Sequence, residues 1–139
     1  MAKRENQISL EFVSNLKFTE FCVLIFSYLR NILDILEDDF FKIEISLREM
    51  INNAIIHGNK SDTSKRVYVQ FSWDRSCLRI SIKDENTEKV DFDEINRKLD
   101  ENDLLSFNGR GILISKSYMD RLEIVPSAKG TEIVMEKRL

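Results

Sequence analysis

Near Lys60-Ser61-Asp62 the spacing of apolar residues changes, and that change governs what the chain can form. Before it, apolar side chains recur every three or four positions. Phe21, Leu24, Ile25, Tyr28, Leu29, Ile32, Leu33 and Leu36 predict a helix opened by Thr19 and Glu20, with one broad apolar face. Phe40, Ile43, Leu47, Met50, Ile51, Ala54 and Ile55 predict a second helix, N-capped by Asp38 and Asp39 and stopped by Gly58 and Asn59. After the change, apolar residues recur at every second position. Val67, Val69, Phe71 and Trp73, then Leu78, Ile80 and Ile82, predict a hairpin turning near 74–76. Ile8, Leu10 and Phe12 predict an earlier strand. A helix over Gly111–Met119 leads into a closing hairpin, Arg121–Val125 and Thr131–Lys137, with Pro126 and Gly130 in its turn. Residues 85–108 are mostly polar and predict a loop with one short helix carrying Phe92, Ile95 and Leu99.

Grouped helices and locally paired strands define an α+β class, expected as a two-layer sandwich with helices packed on one face of a mixed, mainly antiparallel sheet. The 139 residues suit a single domain spanning 1–139, long enough to bury a core. Nine Phe against one Pro exclude a disordered chain. With 21 basic and 24 acidic residues the net charge is −3, so no basic field favours direct binding of nucleic acid. Cys22 and Cys77 lie far apart, and the chain has one His, which argues against a zinc site or a disulfide scaffold. A reducing cytoplasm is the expected location. The longest apolar stretch, Phe21–Leu29, is interrupted by Ser27 and falls short of the ~20 residues that cross a bilayer. The polar start, Met1–Gln7, has no adjoining apolar run of a leader, so no membrane association is expected.

The second helix carries an unusual polar stripe. Glu49, Asn52, Asn53 and His57 follow at i, i+3, i+4 and i+8, beside the apolar stripe. Adjacent Asn residues are mediocre helix formers, because their side chains compete for backbone bonds. Two readings stand: an ordinary wet face, or a site with a carboxylate base, an amide oxygen for a hard cation such as Mg²⁺, and a His at the helix end.

Glu49-Met50-Ile51-Asn52-Asn53-Ala54-Ile55-Ile56-His57-Gly58 resembles the N-box of the GHKL ATPases, in the form used by the anti-sigma-factor serine kinases. Asn108-Gly109-Arg110-Gly111-Ile112-Leu113-Ile114 resembles the family's glycine box, and Gly130-Thr131-Glu132 its last motif. The motifs span nearly the whole chain in the family's order. The resemblance implies the Bergerat (GHKL ATPase) fold and the cofactors ATP and Mg²⁺. It implies that Glu49 is the general base and that Asn53 holds Mg²⁺. It implies that Asp84, helped by Thr131, accepts from the adenine amino group, and that N–H groups at Gly109 and Gly111 meet phosphate oxygens. Arg110 would supply positive charge beside them, and His57 would line the site or cap the helix end.

One motif departs. Where the family reads D-x-G-x-G, this chain has Asp84-Glu85-Asn86-Thr87-Glu88. Asp84 matches and both glycines are absent. Asn86 is expected in the left-handed region in place of the first glycine, and Glu88 brings charge and bulk to the second. Functions of different classes therefore remain. The first is a serine protein kinase in a partner switch with a sigma factor and an antagonist protein, often a homodimer. The second is a binding module of the same fold that sequesters a partner with little nucleotide or phosphotransfer. A histidine-kinase catalytic domain is a third reading.

Overall fold

The structure, a computed structural model, describes residues 6–87 and 109–139. Glu88, Asn108 and the expected short helix of Phe92, Ile95 and Leu99 lie outside the described residues. In chain order the elements are β1 (Asn6–Val13), α1 (Lys17–Leu33), α2 (Glu37–Asn53), β2 (Arg66–Trp73), β3 (Cys77–Lys83), α3 (Gly109–Tyr118), β4 (Arg121–Ser127) and β5 (Gly130–Arg138). The described strands form one sheet in the order β1-β2-β3-β5-β4.

Period-2 patterning sets the register. Leu10, Val69, Ile82, Ile133 and Ile124 stand side by side across all five strands, and so do Ile8, Phe71, Ile80, Met135 and Leu122. These two rows make the apolar face against which the helices pack. The core joins Val67, Val69, Phe71, Leu78, Ile80, Ile82 and Met135 of the sheet to Phe26, Leu29, Ile43, Leu47, Met50 and Ile51 of the helices. The opposite face carries a polar ladder, with Arg79 and Arg121 beside Glu136, and Ser81 and Lys83 beside Glu132.

The two-layer α+β architecture matches the sequence expectation, but among the described strands the sheet is not mixed. All four strand pairings are antiparallel. β4 does run in the direction of β3, yet β5 inserts between them, so no parallel neighbours arise.

Two local expectations also need correction. Asp38 and Asp39 do not cap α2. The helix starts one residue earlier, and both carboxylates sit in its first turn, facing the positive end of the helix dipole. Pro126 and Gly130 are not turn residues but the last and first parts of strands, with Pro126 paired to Thr131 on the edge strand, where a missing N–H is tolerated. The turn is Ala128-Lys129. Gly58 and Asn59 do end the second helix as expected, but its last turn widens into a π turn, Ala54–Gly58, with Asn59 as its C-cap. Lys60 and Ser61 then follow in the left-handed region, and the Ser61 N–H closes back on Ile55 O at 2.8 Å.

α3 lies antiparallel to α2. Its start packs by Glu49 and Asn53, while at its end Lys137 Nζ donates to Tyr118 O at 2.9 Å and sits 3.8 Å from Asp39 at the start of α2. α1 is held to α2 by stacking of Phe26 on Phe40, with the Arg30 guanidinium 4.5 Å from the Phe40 ring centroid, and by Thr19 Oγ1 donating to Asn52 Oδ1. Among the described residues no helix is long and apolar enough to cross a membrane. Both cysteines are free, and burial pushes the Cys22 thiol up to about 12, which leaves it inert.

Candidate nucleotide site

The polar stripe of α2 divides. Asn52 turns toward α1 and is consumed by its bond with Thr19, so it is structural. Glu49 and Asn53 turn toward α3. A Cβ built on Gly111 would lie 2.6 Å from Glu49 Oε2 and 3.6 Å from Asn53 Nδ2. A side chain at 111 would therefore push the Glu49 carboxylate aside. Asn53 Nδ2 is buried and has no hydrogen-bond partner among the described residues. A buried amide left unbonded costs about 1–3 kcal/mol, and a half-turn of the amide presents its oxygen at the same place instead. A ligand that engages this amide relieves that cost. Gly109 and exposed Arg110 form the first turn of α3 beside this pair, so N–H groups that no helix carbonyl can satisfy lie close by.

A second cluster is built on the sheet. The inward alternation Leu78, Ile80, Ile82 continues to Asp84, which places a carboxylate where a hydrophobe would be expected. Asp84 Oδ1 accepts from the N–H of Thr131 at 3.0 Å and of Asn86 at 2.9 Å, while the Asp84 N–H donates to Thr131 O at 3.0 Å. Burial pushes the Asp84 carboxyl above the usual aspartate value, and the two N–H bonds partly offset this. Two glycines leave room for it. A Cβ on Gly58 would collide with the Asp84 carboxylate, and one on Gly130, whose φ is +147°, would collide with the Asp84 carbonyl. The sequence marks these glycines as stop and turn signals and as motif positions, which leaves their packing role hidden. Asn86 is not left-handed, since the only non-glycine residues with positive φ among those described are Asp34, Lys60 and Ser61. It takes part through its N–H, in a tight turn closed on Asp84.

α2 and its π turn connect the two clusters. From Glu49 to Gly58 the helix advances roughly 13 Å at 1.5 Å per residue. His57 lies on that turn, half-buried, and its partial desolvation pushes the imidazole pKa down. A cavity of about 290 Å³ at the strand ends touches Asp84, Gly130 and Thr131, but with Tyr68, Lys83 and Glu132 in its lining it opens toward the sheet face away from the helices. One end thus offers a recessed carboxylate, and the other offers a carboxylate, an unbonded amide and a helix start. That pairing suits an elongated ligand with an N–H-bearing ring at one end and anionic groups at the other.

A family model described as the histidine kinase-like ATPase domain matches residues 20–137. The chain belongs to that family. Among curated proteins it is similar to the anti-sigma F factor of Oceanobacillus iheyensis, 30% identical over 138 residues, covering 97% of this chain and 94% of that protein. The anti-sigma F factor of Bacillus subtilis is 28% identical over the same shares. That of Clostridium perfringens is 28% identical over 97% of this chain and 98% of its own length. Among solved structures, the RsbU and RsbW domains of Rv1364c from Mycobacterium tuberculosis align with a TM-score of 0.66 at 15% identity, over 96% of this chain and 32% of that one. That likeness establishes the fold. Membership of an ATPase family implies that the domain binds ATP.

Proposed function

We propose that this chain is an ATP-binding serine protein kinase of the anti-sigma type, which holds a sigma factor and phosphorylates a serine on an antagonist protein. The observation that carries the reading is the meeting of Glu49, Asn53 and Gly111, one helix length from Asp84. Asp84 accepts from the adenine amino group, with Thr131 and Asn86 fixing its orientation. N–H groups of the α3 start at Gly109 and Gly111 receive phosphate oxygens, helped by Arg110. Asn53, with its amide unengaged, would hold Mg²⁺, which when bound neutralises the phosphate charge. Glu49 takes the proton of the attacking serine hydroxyl as the serine oxygen bonds to the γ-phosphorus and ADP leaves. The added phosphate charge then loosens the antagonist's interface. The anti-sigma F factors among the relatives support the choice of partners.

The decisive experiment incubates the protein with Mg-ATP labelled at the γ-phosphate and a serine-bearing antagonist. Transfer to serine is expected, and Glu49→Gln should reduce it roughly 10²–10⁴-fold while leaving ATP affinity nearly unchanged. Weak ATP binding without transfer in the wild type would assign the sequestering module instead.

The same reading includes a homodimer through α1. Its outer face presents Phe21, Leu24, Tyr28 and Ile32, each 56–68% exposed, against an inner face of Cys22, Val23, Phe26 and Leu29. Rings of Phe12, Phe18 and Phe21 stack in sequence from the edge strand β1 out to this face. Large apolar side chains hold on the order of 150–250 Å² each, so the row offers several hundred Å² toward the ~800 Å² per partner of a stable interface. A second copy matches it row for row about a two-fold axis.

A further inference from the structure

Asn59 is a polar side chain with no exposed surface, and all its bonds converge on one junction. Its Nδ2 donates to Ser14 Oγ and to Arg66 O, both at 2.9 Å. Its Oδ1 accepts the Glu85 N–H at 2.8 Å. Glu85 returns the connection, its carboxylate accepting the Arg66 N–H. Residues 84–85 are thus tied to the start of β2 twice, through the backbone by Asn59 and through the side chain by Glu85. The residue before Asn59 is Gly58, which makes room for the Asp84 carboxylate.

We infer that Asn59, with Glu85, is a positioning device that makes the site selective for adenine over guanine. The inference rests on the nucleotide reading above. Adenine presents an amino group where guanine presents a carbonyl oxygen. A carboxylate held in place accepts from the first and repels the second, whereas one free to swing aside tolerates both. A run without glycines acquires its fixed shape from these bonds, which orient the base-reading group before ligand arrives.

The test titrates wild type, Asn59→Ala and Glu85→Ala with Mg-ATP, Mg-GTP and inorganic tripolyphosphate. Hydrogen exchange is followed at residues 84–86 without nucleotide. Each variant should lower the ATP-to-GTP affinity ratio, about tenfold for Asn59→Ala, the scale of one oriented hydrogen bond. Tripolyphosphate affinity should hold, and the Glu85 amide should exchange faster. An unchanged ratio in both variants, or an equal loss for all three ligands, overturns the inference. If Asn59→Ala does not fold, Glu85→Ala, at a half-buried position, decides between these outcomes. Wild type that binds no nucleotide overturns the nucleotide reading itself, and unaltered exchange at Glu85 in the Asn59 variant then rejects the tie independently.

Discussion

Under the proposed function, Asp84 would serve a ligand at the expense of its own fold. Its carboxyl is raised above the usual aspartate range, first by burial, against two N–H bonds that favour the charge. A folded-state pKa above the unfolded one means that the group favours folding when protonated. That contribution is full below the ordinary aspartate value of about 3.9 and is lost as pH rises through the higher folded value. At neutral pH the carboxylate therefore burdens the nucleotide-free protein. Asp84→Asn keeps an oxygen for the Thr131 and Asn86 N–H groups and removes the charge. It should raise the melting temperature of the nucleotide-free chain at pH 7, with the gain shrinking toward pH 4, while abolishing the further rise caused by ATP. Calorimetry at both pH values checks this, and a lower melting temperature at pH 7 would refute it.

At the scale of elements, α1 differs most from its expected role. Its apolar spacing predicts one broad inward face, but the helix presents Cys22, Val23, Phe26 and Leu29 inward and Phe21, Leu24, Tyr28 and Ile32 outward. Spacing by three and four cannot tell a wide face from two opposed ones, because only packing partners decide which residues are covered. If the outer row is a dimer surface, Ile32→Glu should yield a monomer in sedimentation equilibrium. Its stability at high dilution should stay within about 0.5 kcal/mol of wild type, as for other exposed substitutions. A dimer that persists in the variant would exclude this face. Strands are more legible than helix ends. Val67 to Phe71 and Leu78 to Ile82 alternate so regularly that register follows from pattern, and Glu49, Asn53 and Asp84 stand out as polar residues beside or within apolar periods. The caps of α2 are not legible, since Asp38 and Asp39 favour a cap and a first turn almost equally. Asn59 carries no signal beyond that of a turn residue, because its partners Ser14, Arg66 and Glu85 come from three separate segments.

Across the whole molecule, the two ends of the site belong to different layers. Asp84 directly follows β3 and Thr131 is on β5, while Glu49, Asn53 and Gly111 are on the helices. A ligand spanning them fastens one layer to the other, so binding should be felt in global unfolding. Mg-ATP at about 100 times its dissociation constant should add about 2.7 kcal/mol to stability, read as a higher urea midpoint with an unchanged slope. A midpoint that does not move at millimolar Mg-ATP would contradict the bridging. The bond from Thr131 to Asp84 crosses 47 residues, and β5, which supplies it, is the last described strand yet takes an inner place beside β3. Translation proceeds from the N-terminus, so a nascent chain exposes Glu49 and Asn53 well before the strand that completes the base-reading end exists. If Asp84 reads the base as proposed, competence to hold a nucleotide waits on β5, which supplies one of the two N–H bonds that fix it.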